Sequence, residues 1–406
     1  MKPKSSYLYP FILITSLFFL WGLAHNMLDV LNKHFQEALG VSRAASGFIQ
    51  FVVFGAYFVM ALPAGYLIKK VGYKRGIVTG LLLYAAGALL FYPAVEIRTF
   101  GFFLFSLFII ASGLTILETA ANPYVTVLGP PESSEQRLNL SQSFNGVGAI
   151  LGPLIGGLLV FSGEGEAKAE LSAVQLPYVG IGVLVLLVAF LFTRVSLPEI
   201  SGENDEAGHA TLSPSRSLLS QSHFVLGVIA QFVYVGAQVG VGSFFINYTT
   251  ETLPGLTNQT SSFYLSGALV LFTIGRFFGT FLMRYIQPRL LLAFFALSAI
   301  LMLLLVIYQN GMITLYSLML VSFFMSIMFP TIFALSIKDL GAQTKQASSF
   351  LIMSVVGGAV FAPLMGYVAD RYSISFAFWV PLFCFVYIGW YAIQGCRIKG
   401  QNLQPV

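Results

Sequence analysis

The chain has 406 residues, 57% of them hydrophobic and 9% charged, where soluble globular domains carry roughly 25% charge. That composition excludes an ordinary soluble enzyme, and 15% aromatic residues exclude a solvated, disordered coil. The net charge of +5 does not point to nucleic acid, because Lys and Arg lie in short clusters between apolar runs, the pattern of membrane-topology signals.

At about 20 apolar residues per crossing, twelve helices need roughly 240 residues, close to the apolar share of this chain. The apolar runs predict spans at 9–32, 45–68, 77–95, 99–127, 140–161 and 176–195. After a polar stretch they resume at 224–248, 261–284, 290–308, 312–337, 347–369 and 375–393. The stretch between holds Glu199, Glu203, Asp205, Glu206, Pro214 and Arg216. It reads as a cytoplasmic linker (196–222) between an N-terminal six-helix bundle (1–195) and a C-terminal six-helix bundle (223–406). The expected fold class is an all-α membrane protein, twelve transmembrane helices in two pseudo-symmetric six-helix bundles.

With the N-terminus inside, 15 of the 21 Lys and Arg fall on the cytoplasmic side, 5 on the other, and Arg276 within a span. This asymmetry predicts a multi-pass protein of the cell inner (plasma) membrane with both termini cytoplasmic. Lys2 and Lys4 precede the first run, but no small-residue cleavage site follows it, so it reads as an uncleaved helix.

The halves repeat weakly. Gly65-Tyr-Leu-Ile-Lys69-Lys70-Val-Gly72-Tyr-Lys74-Arg75 after the second span corresponds to Gly279-Thr-Phe-Leu-Met-Arg284-Tyr-Ile-Gln-Pro-Arg289 after the eighth. Gly148-Ala-Ile-Leu-Gly152-Pro153-Leu-Ile-Gly156 corresponds to Gly358-Ala-Val-Phe-Ala-Pro363-Leu-Met-Gly366. Parallel six-helix repeats are a plan of secondary transporters. Lys69, Lys70 and Arg75 read as gating or structural residues of the basic turn.

Only two of the 16 acidic residues, Asp29 and Glu118, sit inside predicted spans. A charge in hydrocarbon costs roughly 2.5–3.5 kcal/mol on insertion scales, so both are candidates for cation coupling or polar-substrate recognition. Neutral hydrogen-bonding residues gather in the same helices: His25 and Asn26 in the first, Asn122 in the fourth, Gln142 and Asn145 in the fifth, Gln231 and Gln238 in the seventh. Glu118 and Asn122 are four apart, as are Tyr234 and Gln238, so each pair shares a helical face. Amides can simply join helices. Their paired donors and acceptors also match neighbouring hydroxyls, which makes a polyol such as a sugar the expected ligand. Aromatic residues such as Trp21, Tyr234, Phe244 and Phe245 would cover its apolar C–H face. Arg276, the one basic residue within a span, lies about two turns from the cytoplasmic end and reads as gating or structural, either snorkelling to that end or binding helix C-terminal carbonyls. Cys384 and Cys396 and the histidines 25, 34, 209 and 223 lack metal-ligand spacing, so no metal and no cofactor are expected.

Several strings resemble the major facilitator superfamily, and within it the bacterial fucose–galactose–glucose:proton symporter family. They are Phe18-Phe-Leu-Trp21-Gly22, Leu117-Glu118-Thr-Ala-Ala-Asn122-Pro123, Val125-Thr-Val-Leu-Gly129-Pro130, Arg137-Leu-Asn-Leu140, Gln231-Phe-Val-Tyr234-Val-Gly-Ala-Gln238, Gly275-Arg276-Phe-Phe-Gly279-Thr280 and Phe329-Pro330-Thr-Ile-Phe333. The resemblance runs through nearly the whole chain and implies the major facilitator fold. It implies that Asp29 and Glu118 are the protonation and sugar-coupling carboxylates, and that Asn26, Gln142 and Asn145 lie in the central cavity. Lys69 stands where the superfamily usually has an Asp, so that loop's common charge-lock account is not carried over. Gly242, Phe244 and Asn247 depart from the fucose-transporting members, which leaves the sugar open.

The expected function is import of a hexose or 6-deoxyhexose by proton symport with alternating access, with Asn26, Asn122, Gln142, Asn145, Tyr234 and Gln238 as substrate-binding residues. Protonation removes the charge that makes reorientation of a carboxylate expensive. Sodium is the alternative ion, since Asn26, Asp29, Thr119 and Asn122 offer hard oxygen ligands. The expected partners are a monosaccharide and membrane lipid, and the expected state is a monomer. Two other classes are an intramembrane enzyme on lipid-linked sugar, with Asp29 and Glu118 as acid and base, and a receptor that binds sugar without moving it. The longest loop has 27 residues and no nucleophile motif is present, which disfavours the enzyme.

Overall fold

A 47-residue apolar helical stretch, Phe51–Ile97, would measure about 70 Å at 1.5 Å per residue, more than twice the roughly 30 Å hydrocarbon layer. It is two crossings, separated at Gly72, whose φ of 83° and ψ of 170° only glycine adopts readily. The structure, a computed structural model, describes residues 8–39, 48–160, 172–195 and 217–398, with the side chains of all of these but 24–38, 50, 152–160, 172–174 and 258–259. Among the described residues, nine helical stretches are long and apolar enough to cross a membrane.

The chain divides into two units, Met1–Gly129 with Ser141–Ile200, and Pro130–Leu140 with Ser201–Val406. The first holds α1 (Leu8–Ala38), α2 (Phe48–Leu89), α3 (Phe91–Ile97), α4 (Phe100–Val127), most of α5 (Ser134–Val160) and α6 (Ser172–Arg194). The opening turns of α5, through Leu140, group with the second unit. Helix α4 is the axis of the first unit: every residue from Ile110 to Thr126 is buried, the signature of a helix enclosed on all sides. Helix α2 packs along it, with Gly80 and Gly87 close against the Gly113 and Ile110 backbone. A Cβ on Gly22 of α1 would strike the Asn145 carbonyl of α5, so these two backbones touch.

The second unit contains α7 (Ser222–Ser243), α8 (Phe245–Thr252), α9 (Asn258–Leu282), α10 (Pro288–Tyr308), α11 (Met312–Met325), α12 (Met328–Ser336), α13 (Thr344–Met353), α14 (Gly357–Arg371), α15 (Ile374–Ala377) and α16 (Trp379–Trp390). Four spans that read as continuous are each broken once. The seventh breaks at Phe244, the tenth at Ser326–Ile327, the eleventh at a 3-10 turn over Ser354–Val356 and the twelfth at Phe378. Each break has a local cause: Gly240 and Gly242 before the first, Pro330 and Pro381 just after the second and fourth, Gly357 and Gly358 after the third. On α10, Leu290, Phe294, Leu297 and Leu301 form an exposed stripe opposite the buried Leu292, Phe295, Ala299 and Leu303. In water such a stripe would associate; against lipid it is satisfied.

Candidate functional site

In the first unit four helices bring polar groups to one level. Glu118, at the centre of the enclosed stretch of α4, is 4% exposed. Two polar side chains stand beside its carboxylate, the Tyr57 hydroxyl from α2 and the Asn122 amide one turn along α4. Neither carboxylate oxygen accepts a well-formed hydrogen bond among the described residues. Behind Tyr57, the indole Nε1 of Trp21 on α1 donates to the tyrosine Oη at 3.1 Å. Behind Asn122, Gln142 Nε2 of α5 donates to Asn122 Oδ1 at 3.2 Å, while Asn122 Nδ2 finds no acceptor among the described residues. Trp21 with Tyr57 and Gln142 with Asn122 are thus two hydrogen-bonded pairs that flank Glu118 across α1, α2, α4 and α5.

Asn145 lies one turn beyond Gln142, and its Nδ2 donates to the Phe18 carbonyl at 3.2 Å. Close by, Thr15 and Ser141 hydroxyls meet at 3.0 Å. Asp29 and Asn26 belong to α1, and their side chains lie outside the described residues. Thr119 donates to the Thr115 carbonyl at 2.7 Å.

In the second unit, Tyr234 is fully buried and its hydroxyl donates to the Met325 carbonyl at 3.0 Å. Gln238 is half-buried one turn further along α7. Gln231, one turn before Tyr234, is fully buried, and neither end of its amide has a partner among the described residues. Arg276 is 4% exposed, lies 4.5 Å over the Phe272 ring and donates from Nε to the Ser326 carbonyl at 2.8 Å. Proline explains that last bond. Residue 330 would normally donate its N–H to Ser326, four residues back, but Pro330 has none, and the guanidinium takes the carbonyl left over. Glu135 of the segment grouped with this unit pairs with Lys338 at 3.3 Å. At the Gly72 turn Lys74 donates to the Thr193 carbonyl, and Lys69, Lys70 and Arg75 are exposed.

The Major Facilitator Superfamily model matches residues 14–355. The L-fucose-proton symporter of Escherichia coli is 44% identical over 403 residues, covering 94% of this chain and 92% of that one. The glucose/galactose transporter of Brucella abortus is 40% identical over 391 residues, covering 95% and 93%. The crystal structure of the E. coli fucose:proton symporter superposes with a TM-score of 0.86 at 42% identity, covering 96% of this chain and 98% of that one.

The chain belongs to the Major Facilitator Superfamily. It is a multi-pass membrane protein with the superfamily's twelve-helix fold. Within that fold the sequence reading missed Tyr57. One of 19 tyrosines in a chain this aromatic, it has no local motif, and its relation to Trp21 spans 36 positions. The only available signal was generic: a hydroxyl kept in an apolar span needs a partner. Gln231 was noted as a polar residue, and the structure singles it out by its complete burial.

Proposed function

We propose that this chain is a secondary active transporter importing a monosaccharide, a hexose or 6-deoxyhexose such as fucose, galactose or glucose, by proton symport with alternating access. One observation carries the reading: Glu118 is buried at the centre of a membrane helix beside the Asn122 amide and the Tyr57 hydroxyl, and no cation pairs with it among the described residues. A carboxylate permanently neutralised by Lys or Arg would not need to bind and release a proton; this one does before it can move through a low-dielectric barrier. The names of the relatives, L-fucose-proton symporter and glucose/galactose transporter, support both sugar and proton.

Asp29 and Glu118 are the coupling carboxylates in this reading, and Asn26, Asn122, Gln142, Asn145, Tyr234 and Gln238 line the sugar site. Residues 1–195 and 223–406 act as the two moving bundles, joined by the linker 196–222. Lys69, Lys70, Arg75 and Arg276 serve gating or structure. The protein works as a monomer in the inner membrane with both termini cytoplasmic, carries no cofactor and performs no enzymatic reaction. The proton is favoured over sodium because proton binding needs only one titrating carboxylate, whereas sodium needs several oxygens fixed around one point, and the name of the relative, L-fucose-proton symporter, supports it. The test is Glu118→Gln in proteoliposomes: gradient-driven accumulation fails while sugar exchange persists. Accumulation near the wild-type level removes Glu118 from coupling.

A further inference from the structure

Helix α6 ends on a cation set against its lipid-facing side. Leu187, Phe190, Leu191 and Arg194 stand at i, i+3, i+4 and i+7, so they share one face of the helix, and all four are exposed. The Arg194 guanidinium lies over the Phe190 ring, 4.9 Å from its centroid, which draws the charge back toward the apolar stripe. A second cation meets the same helix end from α2. Lys74, two residues past the Gly72 turn, donates from Nζ to the Thr193 carbonyl at 3.0 Å, one of the last-turn carbonyls that have no partner within a helix. An ammonium has three donors, so this bond leaves two for another acceptor. The stretches 62–80 and 184–195 that build the corner hold Lys69, Lys70, Lys74, Arg75 and Arg194 and no Asp or Glu.

We propose that Lys74 and Arg194 hold the phosphate of an anionic phospholipid, one acyl chain of which lies along Leu187, Phe190 and Leu191. Each half of the arrangement selects a different part of the ligand. The two cations select a phosphate, and the stripe, which faces hydrocarbon, selects an apolar tail attached to it. A zwitterionic headgroup carries an ammonium of its own and brings it beside Lys69, Lys70 and Arg75, exposed in the same turn; a headgroup with net negative charge does not. An acidic protein segment matches the charges but not the stripe. In the proposed orientation this end of the first unit is cytoplasmic, and the cytoplasmic leaflet is the one whose negative surface attracts basic residues next to a span. The proposal rests on the membrane fold and is independent of the sugar and of the coupling ion.

The experiment titrates the detergent-purified full chain with dioleoyl phosphatidylglycerol or dioleoyl phosphatidylethanolamine and follows binding of the first lipid by native mass spectrometry. The proteins are wild type, Lys74→Gln, Arg194→Gln, Arg194→Lys and the double variant Arg284→Gln with Arg289→Gln. Wild type prefers the phosphatidylglycerol. Each of Lys74→Gln and Arg194→Gln weakens that binding about 5-fold, and the two together roughly 30-fold; Arg194→Lys keeps the charge and loses less. The Arg284 and Arg289 pair belongs to the corresponding turn of the second unit, so its double variant binds the first lipid as wild type does. Should Lys74→Gln not fold, with the Thr193 carbonyl left bare, Arg194→Gln decides alone. Undiminished binding by Arg194→Gln, or an equal loss in the second-unit variant, overturns the site in favour of general surface attraction. Equal affinity of wild type for the two lipids overturns the headgroup selection, and displacement of phosphatidylglycerol by inorganic phosphate at the same concentration overturns the assignment to a lipid.

Discussion

Glu118, Asn122 and Gln142 show why single polar residues matter more in a membrane helix than in water: each lacks the solvent that would otherwise satisfy it. Gln142 fixes the orientation of Asn122 through one hydrogen bond, and Asn145 ties α5 to the Phe18 carbonyl of α1. In the proposed sugar site each also grips a substrate hydroxyl, so replacing either by Ala removes that bond at a cost of about 1–3 kcal/mol, and apparent sugar affinity should fall roughly 5- to 150-fold. Unchanged Michaelis constants for both variants in uptake assays would place the sugar elsewhere. The residue types of this site were legible in the sequence, since a carboxylate and amides inside apolar runs stand out from their surroundings. Their partners were not, because Trp21 and Tyr57 come from different helices and meet only when α1 and α2 fold against each other.

At the scale of elements, the strings Gly275-Arg276-Phe277-Phe278-Gly279 and Phe329-Pro330 belong to one structural device. Pro330 breaks the tenth span into α11 and α12, and Arg276 from α9 accepts the consequence by donating to the orphaned Ser326 carbonyl. Replacing Arg276 with Met exposes that carbonyl to an apolar interior at about 1–3 kcal/mol, which lowers the melting temperature of the detergent-purified protein. Pro330→Ala restores the missing backbone N–H, so the double variant Arg276→Met with Pro330→Ala should regain part of the loss. A thermal-shift cycle in which the two changes are strictly additive would refute the pairing. Helix positions were readable from the long apolar runs of the chain. The breaks were not: proline marks a site where a helix can open, and whether it does depends on who takes the freed carbonyl.

For the whole molecule, the choice of driving ion follows from how its polar groups are distributed. A sodium site needs several oxygens converging on one point, whereas a proton needs a single titrating group with a path to water. Uptake should therefore respond to an inward proton gradient without sodium and not to an inward sodium gradient at symmetric pH; the reverse result would replace the ion while keeping the sugar. Composition by itself determined that this is a membrane protein, because 57% apolar residues have nowhere to go in a soluble fold of this length. The lengths of the apolar runs gave the twelve expected spans, and the charge difference between alternate loops gave their expected orientation. Only the tertiary structure decided that Pro130–Leu140 groups with the second unit, that Tyr57 stands between Trp21 and Glu118, and that Arg276 serves a helix break. The reason is physical: burial in lipid is a property of each segment alone and is written locally, while a hydrogen bond between helices depends on crossings that no single segment contains.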